Sequence, residues 1–124
     1  MIPKKEMVEQ RQHKRFQVPK GTFVGLGPHD TKVGQVIDVG MGGLAFRYVG
    51  SEEPSNGELD IFLNERDFYL GRVAFRTVTD VEITIRRDSS SMAMRRSGVQ
   101  FKKMKPNQIS QLEYFIQNHT LGEA

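Results

Sequence analysis

"GQVIDVGMGGLAFRYVG", residues 34–50, reads as two short strands joined by a glycine-rich turn. On either side of "GMGG" the side chains alternate with period 2, the spacing of an extended strand and not of a helix. The alternation sets Ile37 and Val39 on one face of the first strand, with Val36, Asp38 and Gly40 on the other. In the second strand it sets Leu44, Phe46 and Tyr48 against Ala45, Arg47 and Val49. Asp38 and residue 40 therefore share a side, and Gly42 and Gly43 permit positive φ and close approach to the backbone. Taken alone, an aspartate followed by glycines is an ordinary hairpin feature.

The same period extends along most of the chain. "GELDIFLN" (57–64) alternates Leu59, Ile61 and Leu63, "DVEITIRR" (80–87) contributes Val81, Ile83 and Ile85, and "SGVQFKKM" (97–104) contributes Val99 and Phe101. "RDFYLGRVAFRTV" (66–78) is a further strand with less regular alternation. Glycines and "EEPSNG" punctuate these runs as turns. "RRDSSSMAMRR" (86–96) reads as a hairpin loop with solvated flanks, with Met92 and Met94 leading into the last strand. Near the end the period changes. In "KPNQISQLEYFIQNHT", Ile109, Leu112, Phe115 and Ile116 fall on one helical face. Pro106 suits a first helical turn, whereas Lys105 is a poor cap, so this helix of about 106–118 should depend on packing. Six short strands and one terminal helix in 124 residues predict an all-β fold, a small antiparallel barrel with a C-terminal α-helix.

Composition sets outer limits. With 37% hydrophobic and 27% charged residues the chain is ordinary globular material. No apolar run approaches the roughly 20 residues of a membrane span, so no membrane insertion is expected. "MIPKKEMVEQ" lacks the apolar stretch of a secretory signal. There is no cysteine, hence no disulfide and no thiolate metal site, and the expected location is cytoplasmic. The net charge of +3 is uneven. Residues 1–20 hold six Lys or Arg against two Glu, which leaves −1 on residues 21–124. A basic arm, 1–20, thus precedes a near-neutral body, 21–124, in a single domain. Such arms suit nucleic acid, anionic lipid or a phosphorylated ligand, and they also occur as plain solvated termini.

Arg11 and Arg15 stand four apart in that arm, in "EQRQHKRF" (9–16). The order of RxxxR, then "DVGMGGLAF", then "GVQF" running into a Pro-containing helix start resembles the PilZ domain over about residues 9–118. That family's pattern is RxxxR followed by [D/N]-x-S-x-x-G. Arg11 and Arg15 match the first element, and Asp38 and Gly43 match two of three positions in the second. The resemblance implies a six-stranded antiparallel barrel that binds cyclic di-GMP and acts as a receptor or adaptor rather than an enzyme. It implies a ligand site of Arg11, Arg15, Asp38, Gly40 and Gly43, with Gln10, Met41 and Gly42 beside them. The chemistry agrees. Arginine offers a donor fork for phosphate or for guanine O6/N7 and a flat face for stacking, and a carboxylate accepts from the guanine N1–H and amine. The arm would close over the ligand, and its ordering would signal to an effector protein that the sequence does not identify.

Two positions depart from the pattern. Gly40 stands where the family has Ser, and Gln10 precedes Arg11 where many relatives carry another arginine. One missing hydrogen bond costs about 1 kcal/mol, or roughly 1.5–3 kcal/mol with a charged partner. The resemblance thus implies affinity lowered by one to two orders of magnitude, not abolished. The alternative is a PilZ-fold protein-interaction domain that has lost or strongly weakened cyclic di-GMP binding, with Gly40 in place of the motif Ser. Specific DNA or RNA binding is not expected, because the body lacks a dense basic face and shows no aromatic–basic interleaving. A hydrolase or metal enzyme is not expected either. His13, His29 and His119 are scattered and have no ligand spacing.

Overall fold

A computed structural model describes residues 13–27, 32–50, 56–64, 68–83 and 94–124 of the chain. Among these residues the strands are β1 (Phe16–Gln17), β2 (Thr22–Leu26), β3 (Lys32–Val39), β4 (Gly43–Val49), β5 (Asn56–Leu63), β6 (Tyr69–Ile83), β7 (Met94–Phe101) and β8 (Gly122–Glu123). The described residues also form a helix, α1, over Pro106–His119. Every pairing is antiparallel, in the order β2–β5–β6–β7–β4–β3, and a β2–β3 pairing closes the ring. This is the expected six-stranded barrel with its C-terminal helix. Closure removes the open edges that a six-stranded sheet would otherwise expose. Two short strands extend it: β1 continues along β3, and β8 pairs with β1.

The count of six survives although the strands are divided differently. Residues expected as two strands, 66–78 and 80–87, belong over 69–83 to one long strand, β6. The short "TFVGL" of β2, which carries a glycine, supplies the sixth. The face assignment of residues 34–40 also changes. Val36 pairs with Phe46 and Asp38 with Ala45, so Ile37 is the extra residue of a β-bulge. The bulge puts Val36 and Val39 together in the core and leaves Ile37 only half-buried. Val81, expected on an apolar face, is 54% exposed, because a register shift between Thr77 and Thr79 turns it to the outer face opposite Arg96. Ile85 and Met92 lie outside the described residues.

A second bulge joins helix to barrel. Leu59 pairs with Val73 and Ile61 with Leu70, so Gly71 and Arg72 together face Asp60. Arg72 takes φ +54°, an uncommon conformation for a side-chain-bearing residue. Asp60 holds it by accepting from the Arg72 N–H (2.7 Å) and the Tyr69 hydroxyl (2.8 Å). Gln108 completes the joint. Its Nε2 donates to the Gly71 and Arg72 carbonyls at 3.1 and 3.0 Å, while its Oε1 accepts from the Lys105 N–H at 2.9 Å. Gln108 thus supplies the side-chain cap that Lys105 cannot, and takes a buried place that the apolar pattern gave to Ile109, which is 37% exposed.

The helix then closes the barrel. Leu112 and Phe115 are fully buried, each contributing about 1.5–3 kcal/mol by transfer from water. Phe115 stacks 4.8 Å from Phe68, centroid to centroid, and the His119 ring packs against both. His119 is therefore part of an aromatic cluster at the helix end. At the opposite margin Asp80 accepts from the Tyr48 hydroxyl (2.6 Å) and from Arg95 Nε (2.7 Å). The bond from Asp80 holds the Arg95 guanidinium above its already high range, so it stays charged throughout. This triad ties β6 and β7 to the barrel beyond its apolar core.

Candidate functional site

The turn between β3 and β4 and the arm entering β1 meet face to face. The turn is closed by the Gly40 N–H donating to the Gly43 carbonyl at 2.8 Å, and Phe101 N–H donates to the Gly42 carbonyl at 2.9 Å. Strand β1 pairs Phe16 with Val39 and Gln17 with Asp38. This register sets Arg15 beside the end of β3. Its Nη1 donates to Asp38 Oδ1 at 2.7 Å, and both side chains are largely buried, 16% and 10% exposed. Two residues chosen from separate motifs, 23 positions apart, are thus direct partners. The bond engages one of the five donors that a guanidinium has.

The glycines of the turn are explained by the arm. A Cβ at position 40 would overlap the Lys14 carbonyl oxygen, and one at position 42 would lie 2.8 Å from His13 Cδ2. The Lys14 backbone therefore rests directly on Gly40, where any side chain would lift it, while Gly42 lies against the His13 ring. Gly43 serves another purpose, since its Cβ would overlap the Val99 carbonyl of β7. Among the expected site residues, then, Arg15, Asp38, Gly40, Met41 and Gly42 are gathered together. Gly43 secures the strand pairing beneath them. Arg11 and Gln10 lie outside the described residues, as does His29.

Between arm, turn and sheet lies a cleft of about 760 Å³, within the size range of small-ligand sites. His13 and Arg15 form one side, and Met41 and Gly42 form the end. The floor is the outer face of β4, β7 and β6. Cross-strand registry places Gly43, Gln100 and Arg76 in one row, Ala45, Gly98 and Thr79 in the next, and Arg47, Arg96 and Val81 in a third. The middle row has small side chains and leaves a shallow bed where a flat ring can lie. Arg76 and Gln100 are hydrogen-bonded to each other at one end. Arg15, Arg76, Arg96 and Lys102 all line the cleft, and among the described residues no carboxylate lines it. Such a surface suits an anion with planar groups: guanidinium forks pair with phosphate oxygens, and their faces stack on aromatic rings.

Sequence reasoning missed Arg76, Arg96, Gln100 and Lys102. Alternation alone turns Arg76 and Gln100 outward, but which strands lie side by side is not encoded in any local run. Registry also alters the expectation that the body lacks a dense basic face, because it brings Arg47 and Arg96 directly opposite each other, with Arg76 two rows along the same face.

No family model matches the chain. It is 25% identical over 123 residues to mannuronan synthase of Pseudomonas aeruginosa, a match covering 96% of this chain and spanning 29% of that protein. Among solved structures it is similar to the PilZ domain of Escherichia coli YcgR with c-di-GMP, with a TM-score of 0.67 and 15% identity over 90% of this chain and 92% of that one. It is also similar to the K. pneumonia MrkH–c-di-GMP complex, with a TM-score of 0.65 and 15% identity over 89% of this chain and 51% of that one. The closed six-stranded barrel, the terminal helix and these likenesses together identify the chain as a domain with the PilZ fold.

Proposed function

We propose that this chain is a receptor domain for cyclic di-GMP, and that the nucleotide seats in the cleft between arm, turn and sheet. The observation that carries the reading is Arg15, which lines a cation-lined cleft while its guanidinium is bonded to Asp38. Cyclic di-GMP carries two phosphodiester charges and two guanines. Arg15, Arg76 and Arg96 supply forks for phosphate oxygens or for guanine O6/N7. Asp38 accepts from a guanine N1–H and amine, and Arg11 adds a second fork from the arm. Ala45 and Gly98 provide the bed for a base. Two solved proteins with this fold hold the same nucleotide, which supports the assignment.

The chain acts by binding, not by catalysis, and its output passes to an effector protein in the cytoplasm. Seating the ligand redistributes the hydrogen bonds of Arg15 and Asp38 and so acts on the arm, residues 1–20, against the barrel domain of 21–124. Gly40 has no hydroxyl to offer the ligand, and the Lys14 carbonyl oxygen lies where its Cβ would be.

Calorimetric titration with cyclic di-GMP tests this, with GTP and the Arg15→Ala variant as controls. Micromolar or tighter binding that disappears in the variant is expected. No heat up to about 100 μM ligand, equivalent to roughly −5.5 kcal/mol, would overturn it in favour of a protein-interaction domain.

A further inference from the structure

We infer that Leu121–Ala124 is a latch that holds the arm over the cleft, and so sets how well the site is formed before ligand arrives. The consequence for affinity rests on the cyclic di-GMP reading. The arm's position does not.

Sheet order at this margin runs β3–β1–β8, which leaves the two-residue β1 sandwiched between the barrel and the segment after α1. Phe16 pairs with Glu123 and Gln17 with Gly122. Leu121 N–H donates to the Gln17 carbonyl at 2.8 Å, and Ala124 N–H donates to the Arg15 carbonyl at 2.9 Å. The second of these bonds grips the residue whose guanidinium holds Asp38. Lys14 Nζ and Glu123 Oε1 add a 4.0 Å ion pair, which is exposed and so contributes little.

A two-residue strand paired on one side only would be held weakly. Successive residues of a strand direct their backbone groups to opposite sides. The Arg15 and Gln17 carbonyls face β8, so Phe16 turns its N–H and carbonyl toward β3. Both edges of β1 are therefore in use, and removing β8 strips one of them entirely.

The latch is anchored at its other end by the helix. Thr120 Oγ1 donates to the Ile116 carbonyl at 2.6 Å as the chain leaves α1, whose Leu112 and Phe115 are buried in the barrel. Gly122 makes the next step with φ +141°, a conformation that L-residues rarely adopt, although a Cβ there would meet nothing within 4 Å. A substitution at 122 thus acts on the backbone alone. Residues 120–124 form a short mechanical link between the helix and Arg15.

The experiment compares the full chain, Gly122→Val and a chain lacking 121–124. Amide exchange is read first without ligand. In Gly122→Val the Leu121 and Ala124 amides should exchange at least tenfold faster, and in both altered chains the Phe16 amide, which reports arm docking on β3, should do the same. Calorimetry with cyclic di-GMP should then show affinity roughly three- to tenfold weaker in both, with thermal unfolding still cooperative. Unchanged Phe16 exchange in the truncated chain overturns the latch. So does faster Phe16 exchange with affinity unaltered, because the segment would then be structural only. If the full chain binds no cyclic di-GMP, the functional reading fails by itself, and Phe16 exchange alone decides the latch.

Discussion

Gly40 carries the backbone of Lys14: the arm lies so close that a Cβ at position 40 would overlap the Lys14 carbonyl oxygen, and the Arg15 Cδ would be only 3.1 Å away. This relationship reverses the meaning of a glycine at this position. By motif alone it is a missing hydroxyl. In the folded chain it is the seat that lets Arg15 reach Asp38 at 2.7 Å. The prediction follows in sign as well as size. Restoring the motif with Gly40→Ser should weaken cyclic di-GMP binding about tenfold, because the arm is lifted, whereas the hydrogen-bond argument predicts a gain of similar size. Calorimetry on the single variant separates the two.

The floor of the cleft makes its own prediction. Arg76→Ala and Arg96→Ala each remove a cation and a donor fork without touching the core, since both side chains are exposed on the outer face. Each should weaken cyclic di-GMP about tenfold and flatten the salt dependence of binding, with unfolding midpoints unchanged. Titrations at two ionic strengths check this.

Gln108 is expected to matter for stability and not for ligand. Gln108→Ala removes the acceptor for the Lys105 N–H and the donors to the Gly71 and Arg72 carbonyls. The loss should be about 2 kcal/mol in urea unfolding, with cyclic di-GMP affinity within twofold of the original. A large affinity change would mean that the bulge at Arg72 communicates with the cleft.

Asp80 is the keystone of the β6–β7 extension. Asp80→Ala leaves the Arg95 guanidinium, only 18% exposed, without its carboxylate and takes the acceptor from the Tyr48 hydroxyl. A larger destabilisation is expected than from Tyr48→Phe, which should cost about 1 kcal/mol. Chemical denaturation of the two variants measures the difference.

How much of this was readable beforehand follows from what each feature depends on. The barrel class was legible because Leu44, Phe46 and Tyr48, and Leu59, Ile61 and Leu63, repeat with the period of a half-buried strand. The helix was legible from Leu112, Phe115 and Ile116. Val36 and Ile37 were assigned to the wrong faces because a bulge is a property of two paired strands, and the sequence of one does not reveal it. Val81 belonged to an apolar alternation and is exposed for the same reason, since the register shift between Thr77 and Thr79 arises from the pairing of β6 with β7. Arg15 and Asp38 could be named from short motifs, yet their bond depends on β1 adding to β3. The cations Arg76 and Arg96 and the strand at Gly122 were hidden altogether. Each gains its role only from registry with a distant segment.

The most direct measurement of the central claim is an NMR titration of the isotope-labelled chain with cyclic di-GMP. Saturable shifts are expected at Arg15, Phe16, Met41, Gly42, Gly98 and Gln100, with the Tyr114 and Gln117 amides of α1 unmoved. Shifts confined to α1, or none up to about 100 μM ligand, would contradict it.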